Sequence, residues 1–458
     1  MNGASPATST SASPPAGGSI RPLSSKAAIY SIGLLTAVNI INLLDRQVIN
    51  IVAEPMKLDL HLSDAQLGLL GGLMFGLLYT FIGLPIARLA ERFSRPAIIS
   101  ASLVIWSGFT VLCGLGRNFA ELALARAGVG AGEAGCSPAA YSLISDYVAQ
   151  HRRALAFGFY ASGTSIGALF GMAFGGLIAD AYGWRAAFFI AGAPGLVFAI
   201  LTWLTLREPR RQLNAQGNRP AEVGTFLQAA KLLMTRQTFC LICLATGAKT
   251  LVSSGFAPFI ASFFLRNHGA RLGQISTDVG AWIGYDLGSV GLTGLLLGLI
   301  AGLGGTAGAL LGGYLGDRYG SSDNRFYLTI PIVASLVAVP VMMAALLSDS
   351  TTLALALLVV NALLTTLWYG PVLAACYSVV PAHTRATASA IYLFASSLIG
   401  LGLGPLSVGL LSDSFASGGL GTGEGLRWAL FVVGAGASIL AATLFWLARR
   451  KIRGETIA

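Results

Sequence analysis

Charge is what this chain has least of: 10% of its 458 residues are Asp, Glu, Lys or Arg, against about 25% in soluble domains. With 55% hydrophobic residues and a mean hydropathy of +0.72, a water-soluble globular enzyme is excluded, and a polytopic membrane protein remains. Histidine is scarce too. His61, His151, His268 and His383 all map to loops without metal-ligand spacing, so no metal centre and no other cofactor is expected. Cys113, Cys136, Cys240, Cys243 and Cys376 fall in apolar segments, which implies no disulfide framework. The C-x-x-C spacing of Cys240 and Cys243 lacks a βαβ context and reads as small buried hydrophobes. The net charge of +10 is scattered over short loops rather than gathered in a basic domain. That excludes nucleic acid as a partner and points to membrane lipid headgroups. Glycine, by contrast, is abundant at 58 residues, as expected where helix backbones approach closely in lipid.

Residues 1–25 are rich in Ser, Ala, Pro and Gly with no apolar core of a signal peptide, and read as a disordered tail. Runs long enough to span a bilayer, which takes roughly 20 residues, follow at 27–50, 65–88, 96–116, 119–148, 154–181 and 184–206. Six more come at 237–264, 288–316, 326–347, 352–380, 385–414 and 426–448. The expected fold is an all-α membrane protein of twelve transmembrane helices in two six-helix bundles, 26–206 and 237–450, joined by a linker at 207–236 and ending in a tail at 451–458. Assigning Lys and Arg to alternate loops puts twenty on one side and six on the other. The excess marks the cytoplasmic side and places both termini and the linker there. The connection from Arg266 to Asp286 lies opposite, with its role left open by the sequence.

The halves echo each other. Gly183-Trp184-Arg185-Ala186-Ala187-Phe188 opens the sixth helix and Gly425-Leu426-Arg427-Trp428-Ala429-Leu430-Phe431 the twelfth. Leu89-Ala90-Glu91-Arg92 with Arg95 ends the second helix, and Gly313-Tyr314-Leu315-Gly316-Asp317-Arg318-Tyr319-Gly320 the eighth. Matching signals six helices apart mean a duplicated half, and parallel repeats of this kind place a substrate site between the halves near the midplane.

Five charges sit inside the apolar runs: Asp45, Arg46, Arg126, Glu133 and Lys249. Each costs about 2.5 to 3.5 kcal/mol at mid-bilayer on insertion scales, so a cluster of them marks a functional site. Arg126 and Glu133 are two helical turns apart, about 10 Å along one face. Asp45 and Arg46 diverge by about 100°, so one of the two faces a cavity squarely. Asp45 and Glu133 are candidate protonatable switches, with Arg46 and Arg126 as alternating partners for them or for an anionic headgroup. The bland alternative is a static ion-pair network. Lys249 either contacts substrate or snorkels along its own stem. Tyr79, Phe256, Trp368, Tyr369 and Tyr392 could line a hydrocarbon path or simply fill the core. Gly163, Gly167, Gly171 and Gly175 form a ridge for either a slidable contact with the other half or static packing.

The segment from Gly313 to Gly320 resembles the G-x-L-x-D-R-x-G-R signature of the major facilitator superfamily; the first-half copy has Ala87 for the Gly and Glu91 for the Asp. The resemblance implies a major facilitator fold that works by alternating access, with Glu91, Arg92, Arg95, Asp317 and Arg318 in conformational gating. Asn42-Leu43-Leu44-Asp45-Arg46 and Arg126-Ala127-Gly128-Val129-Gly130-Ala131-Gly132-Glu133-Ala134, continuing through Pro138 and Ser142 to Asp146, resemble the Spinster-type members. That implies an anionic amphiphile such as a lysolipid or a sphingoid phosphate as substrate, driven by a proton gradient. The resemblance further implies a bacterial inner-membrane protein functional as a monomer. A drug or small organic-anion exporter is the alternative. Gly130-Ala-Gly132-Glu-Ala-Gly135 matches a dinucleotide fingerprint but follows no strand. Ala248 stands where a phosphate loop needs Gly before Lys249. Nothing in the sequence supplies the nucleophile and base of a lipid enzyme, so no enzymatic activity is expected.

Overall fold

With no water at mid-bilayer to satisfy peptide groups, each apolar run closes its own backbone hydrogen bonds as helix. The computed structural model describes residues 25–148, 152–209, 226–320, 322–381 and 384–455. Most of the expected N-terminal tail, the linker segment 210–225 and residues 456–458 lie outside the described residues. Twelve helices follow in order: α1 (Ser25–Leu60), α2 (64–92), α3 (Arg95–Leu115), α4 (119–147), α5 (Arg153–Tyr182), α6 (Trp184–Thr205), α7 (237–267), α8 (Ser289–Gly320), α9 (Arg325–Leu347), α10 (Thr351–Ser378), α11 (385–420) and α12 (Gly421–Glu455). Helices α1–α6 make the N-half and α7–α12 the C-half. A linker helix (Phe226–Met234) precedes α7. The connection left open by the sequence folds into a helix (Gly269–Ile283) between α7 and α8.

Prolines explain where three helices break. Pro138, Pro258 and Pro371 cannot donate to the carbonyls of Ala134, Ser254 and Leu367 four residues back. The helical hydrogen-bond ladder is interrupted close to each while the dihedrals stay in the right-handed region, splitting α4 at Ala134–Gly135, α7 at Ala257–Phe259 and α10 at Leu367–Trp368. Helices α4 and α10 occupy equivalent places in the two halves, so the break is itself repeated. The turn between α11 and α12 uses Gly419 (φ 100°) and Gly421 (φ 79°), a backbone region that side chains with a Cβ rarely adopt. Consequently α12 starts four residues earlier than the Gly425 opening expected from the sequence.

Within the N-half α1 packs on α5, α3 on α6 and α2 on α4; within the C-half α12 packs on α7, α9 and α11. The halves meet along two seams, α5 against α8 and α2 against α11. The glycine ridge of α5 is not one of those seams. A Cβ at Gly163, Gly167 or Gly171 would lie 3.0, 2.5 or 2.7 Å from the carbonyl oxygens of Thr36, Ile40 and Leu44, so the ridge seats α1 of its own half. The seam with the other half instead uses Gly176 of α5 with Gly291, Gly294 and Gly298 of α8, the last two against the Met172 and Leu169 carbonyls. The opposite seam sets Gly68 and Gly72 against Pro405 and Leu401.

Two substitutions on α5 should therefore act with opposite sign. Gly167→Ala forces a methyl onto the Ile40 carbonyl and should lower the melting temperature of the purified protein, overpacking costing about 1–3 kcal/mol. Gly158→Ala, whose methyl meets nothing within 4 Å, should leave it unchanged or raise it through helix propensity. Equal shifts for the two would contradict this packing.

Candidate functional site

Four of the five intramembrane charges gather in the N-half. Arg46 of α1 donates from Nε to Glu133 Oε2 of α4 at 2.5 Å; the Glu133 side chain is fully buried and the Arg46 side chain as a whole is 22% exposed. The guanidinium lies over Phe75 and Tyr79 of α2, 4.6 and 4.8 Å from the ring centres, and those rings stack on one another. Arg126 also lies over Phe75, at 5.3 Å, and donates to the Leu70 carbonyl at 3.2 Å. Glycine makes this crowding possible: a Cβ at Gly130 would strike the Phe75 carbonyl, and one at Gly132 the Trp106 amide. The glycine run that mimics a nucleotide fingerprint is thus a close-packing surface for α2 and α3.

Of the adjacent pair on α1, Arg46 is the partly exposed member. Asp45 is fully buried and turned toward α3, where Thr110 donates to its Oδ2 at 3.3 Å. Its Oδ1 and the Oε1 of Glu133 are buried without a hydrogen-bond partner. Two carboxylates with an unused oxygen each, beside two guanidiniums, form a set that can exchange protons and partners without moving the backbone.

Lys249 does not join them. It lies in the C-half on α7, buried to 1% exposure, with an ammonium that meets no hydrogen-bond partner. Its helix face continues through Val252, Ser253, Phe256 and Ile260, all of which line a cavity of about 260 Å³ between the halves. Phe256 lines this cavity, whereas Tyr79 lies against Arg46 and Phe75 within the N-half. Trp368 and Tyr392 are instead buried in the core of the C-half, where the Trp368 indole donates to the Thr365 carbonyl at 2.8 Å. Tyr369 stacks on Trp368 at 4.2 Å and is 47% exposed.

Of the gating candidates, Arg95 and Arg318 make contacts within their own halves. Arg95 is buried and donates to Asp146 at 2.6 Å, Ser142 at 2.8 Å and Glu208 at 2.5 Å, tying the start of α3 to the ends of α4 and α6. Asp317 and Arg318 are exposed; Arg318 reaches the Tyr314 hydroxyl at 2.9 Å. Glu91 and Arg92 lie in the last turn of α2, and their side chains are outside the described residues. At the same face Arg453 pairs with Asp323 at 2.6 Å and holds that carboxyl below the usual carboxylate range.

A second charged cluster, not singled out in the sequence, closes the face that carries the α1–α2 turn. Arg266 at the end of α7 forks between Glu54 of α1 at 2.7 Å and Asp64 of α2 at 2.8 Å. Lys57 and Ser412 also reach Asp64, each at 2.6 Å. Asp413 of α11 accepts from the Asp64 and Ala65 amides at 2.9 and 2.8 Å, capping the first turn of α2. Asp180 of α5 accepts from the Gly291 amide at 2.6 Å, capping the first turn of α8. Each half therefore supplies a carboxylate to a positive helix start of the other. The contacts are repeat-related, since α5 and α11, and α2 and α8, are equivalent helices. A signal was present: Gly176-Leu177-Ile178-Ala179-Asp180 and Gly409-Leu410-Leu411-Ser412-Asp413 are the same pentad with conservative changes. Among the described residues, ion pairs between the halves occur at this face alone.

Residues 35–405 match the Major Facilitator Superfamily. The chain is 31% identical over 427 residues to an MFS-type efflux pump of Mycolicibacterium smegmatis, covering 93% of this chain and 94% of that one. It is 25% identical over 408 residues to protein spinster homolog 3 of Danio rerio, covering 86% and 78%. Among solved structures it is similar to a bacterial homolog of the human lysosomal transporter Spinster in an inward-facing, unoccupied conformation. That similarity has a TM-score of 0.84 and 31% identity over 95% of this chain and 100% of that one. The occupied inward-facing form of that homolog gives a TM-score of 0.81 at 30% identity, with the same coverage.

Removing the forked cation tests the closing cluster. Arg266→Gln leaves Glu54 and Asp64 facing each other, and breaking a buried pair from one side costs about 3–5 kcal/mol. Spin labels on the exposed Leu58 and Leu420 positions should then report a longer distance across this face. An unchanged distance distribution would contradict a latching role.

Proposed function

The chain belongs to the major facilitator superfamily of secondary transporters, and on that premise we propose that it carries an anionic amphiphile, such as a lysolipid or sphingoid phosphate, by proton-coupled alternating access. The observation that supports this reading is the Arg46–Glu133 pair: an arginine whose side chain is 22% exposed, bonded to a carboxylate that is wholly buried. An anionic headgroup entering from the inter-half space can take the Arg46 fork. Glu133, released from its partner in a desolvated place, then gains a proton. Loss of that proton to the other side of the membrane restores the pair and ejects the headgroup. Coupling is thus partner exchange on one guanidinium, with Asp45 and Arg126 setting the local charge. Lys249 and Phe256 would meet the substrate from the C-half, while Tyr79 would hold the Arg46 plane in place.

In this reading the two halves are the rocking bodies, the face with both termini is cytoplasmic, and the membrane is a bacterial plasma membrane. The protein works as a monomer, its coupling ion is the proton, and it has no enzymatic activity. With Arg266 engaged, the conformation described is closed to the outside. A second reading, export of drugs or small organic anions, is supported by the 31% identity to an efflux pump, which equals the identity to the bacterial Spinster homolog.

Proteoliposomes with an imposed pH gradient distinguish these ideas. Labelled lysolipid should accumulate in response to the gradient. Glu133→Gln and Asp45→Asn should cut the gradient-driven component by about tenfold, within the usual range of coupling free energies, while Glu133→Gln retains substrate exchange. Wild-type pH dependence in both variants, in protein that reaches the membrane, would refute proton coupling. Preferential transport from a drug panel would favour the second reading.

A further inference from the structure

Behind the charged site, α1 forms the floor of a second hollow, a trough of about 420 Å³ whose rims are α5 and α6. Ala37, Ile40, Ile41, Leu44 and Val48 make the floor, at the spacings that keep one helix face in line. Arg46 leaves α1 about 200° around the helix from Leu44, so site and trough use opposite faces. Small side chains leave the space, Ala37 on the floor and Ala187 and Ala191 on α6, while Phe174 of α5 and Ile190 of α6 form its exposed edges at 49% and 48%. No lining side chain carries a polar atom. Water finds no partner there, and such a space stays dry.

Length and depth identify what fits. Tyr30 of α1 donates to the Thr205 hydroxyl at the end of α6 at 2.9 Å, which levels the two helices. Ala37 and Phe198 lie seven residues from that level and Val48 and Ala187 eighteen. The trough therefore runs from about 10 to about 27 Å above it, a length of about 17 Å. Helix α6 has 22 residues, about 33 Å, close to the hydrocarbon core of about 30 Å. Most of the trough thus lies in the leaflet on the side of the α1–α2 turn, and its length matches the thickness of about 15 Å that one leaflet contributes. Its mean cross-section, 420 Å³ over that length, is about 25 Å², against about 80 Å² for a helix about 10 Å across. A partner helix cannot enter it.

We propose that the trough is a lipid site, which holds one acyl chain of a bilayer phospholipid lengthwise against α1. Lipid surrounds every spanning helix, so removal from water contributes nothing here; the trough differs from the open surface by touching a chain on three sides. A chain that runs the full length gains the most contact, and a shorter one leaves part of the floor bare. The bound chain completes the packing of α1 behind Asp45 and Arg46, whatever cargo the charged site takes.

The test is photolabelling of the full chain in nanodiscs with a phospholipid that carries a diazirine midway along one chain, the adducts being located by mass spectrometry of the peptides. Leu44, Ile190 and Phe198 of the trough should be labelled about fivefold more than Val197 and Ile200, which are 57% and 61% exposed on α6 but lie outside it. Ala37→Leu and Ala191→Leu fill the trough from different helices. Each should bring its labelling down to that of Val197 and Ile200, which stays unchanged. In detergent micelles, unlabelled phospholipid with chains that span one leaflet should suppress the trough adducts, and one with chains half as long should not. That competition uses the wild-type chain and decides the question even where the variants fail to fold. Equal labelling inside and outside the trough, adducts that persist in both folded variants, or equal suppression by both competitors overturns the site. Trough positions labelled less than Val197 in a protein that elutes as a dimer overturn it in favour of a second copy covering this face.

Discussion

The exchange of carboxylates between the halves is the contact that gives the molecule its conformation. Asp413 reaches from the C-half to the start of α2, and Asp180 from the N-half to the start of α8. Each meets amides that have no partner within their own helix, at the end where the helix dipole is positive. Without such partners, exposed helix starts would face one another across the seam. With them, the two seams can close on glycine, backbone against backbone, and Arg266 adds a fork that spans α1, α2 and α7.

The Arg46–Glu133 pair follows a different logic. It joins α1 and α4 of one half, so it need not break when the halves move. Its guanidinium is braced by Phe75 and Tyr79 from α2, and Arg126 leans on the same Phe75. The pair and its braces therefore belong to one half, and the cavity lies between that half and the other.

Much of the fold was legible in the sequence because lipid imposes simple rules. The apolar runs and the duplicated motifs gave twelve helices in two halves, and the divergence of Asp45 from Arg46 on α1 agrees with their different partners, Thr110 of α3 for one and Glu133 of α4 for the other. What stayed hidden was partnership across distance. The α5 ridge seemed suited to the other half, yet a stripe of glycines says that a backbone comes close without saying whose, and here it is α1. The closing cluster was missed because Glu54, Lys57, Asp64 and Arg266 lie at helix ends, where charges are ordinarily solvated, and Arg266 is 212 residues from Glu54. The repeated pentad ending in Asp180 and Asp413 was the one local sign. Lys249 was grouped with the other charges by its cost alone, since hydropathy cannot tell which half a buried ion faces.

The pairing of Asp180 with α8 and Asp413 with α2 has a consequence for how such a molecule can be assembled. It is the geometry of an isologous interface, in which one patch meets its own copy about a two-fold axis. Two identical six-helix chains carrying a single such aspartate would form both bonds at once, so one residue in the unit yields a symmetric, closed dimer. Joined by a tether, the same units keep the bonds while becoming free to diverge elsewhere. That freedom shows in the five charges inside the apolar runs: Asp45, Arg46, Arg126 and Glu133 in one half, Lys249 in the other.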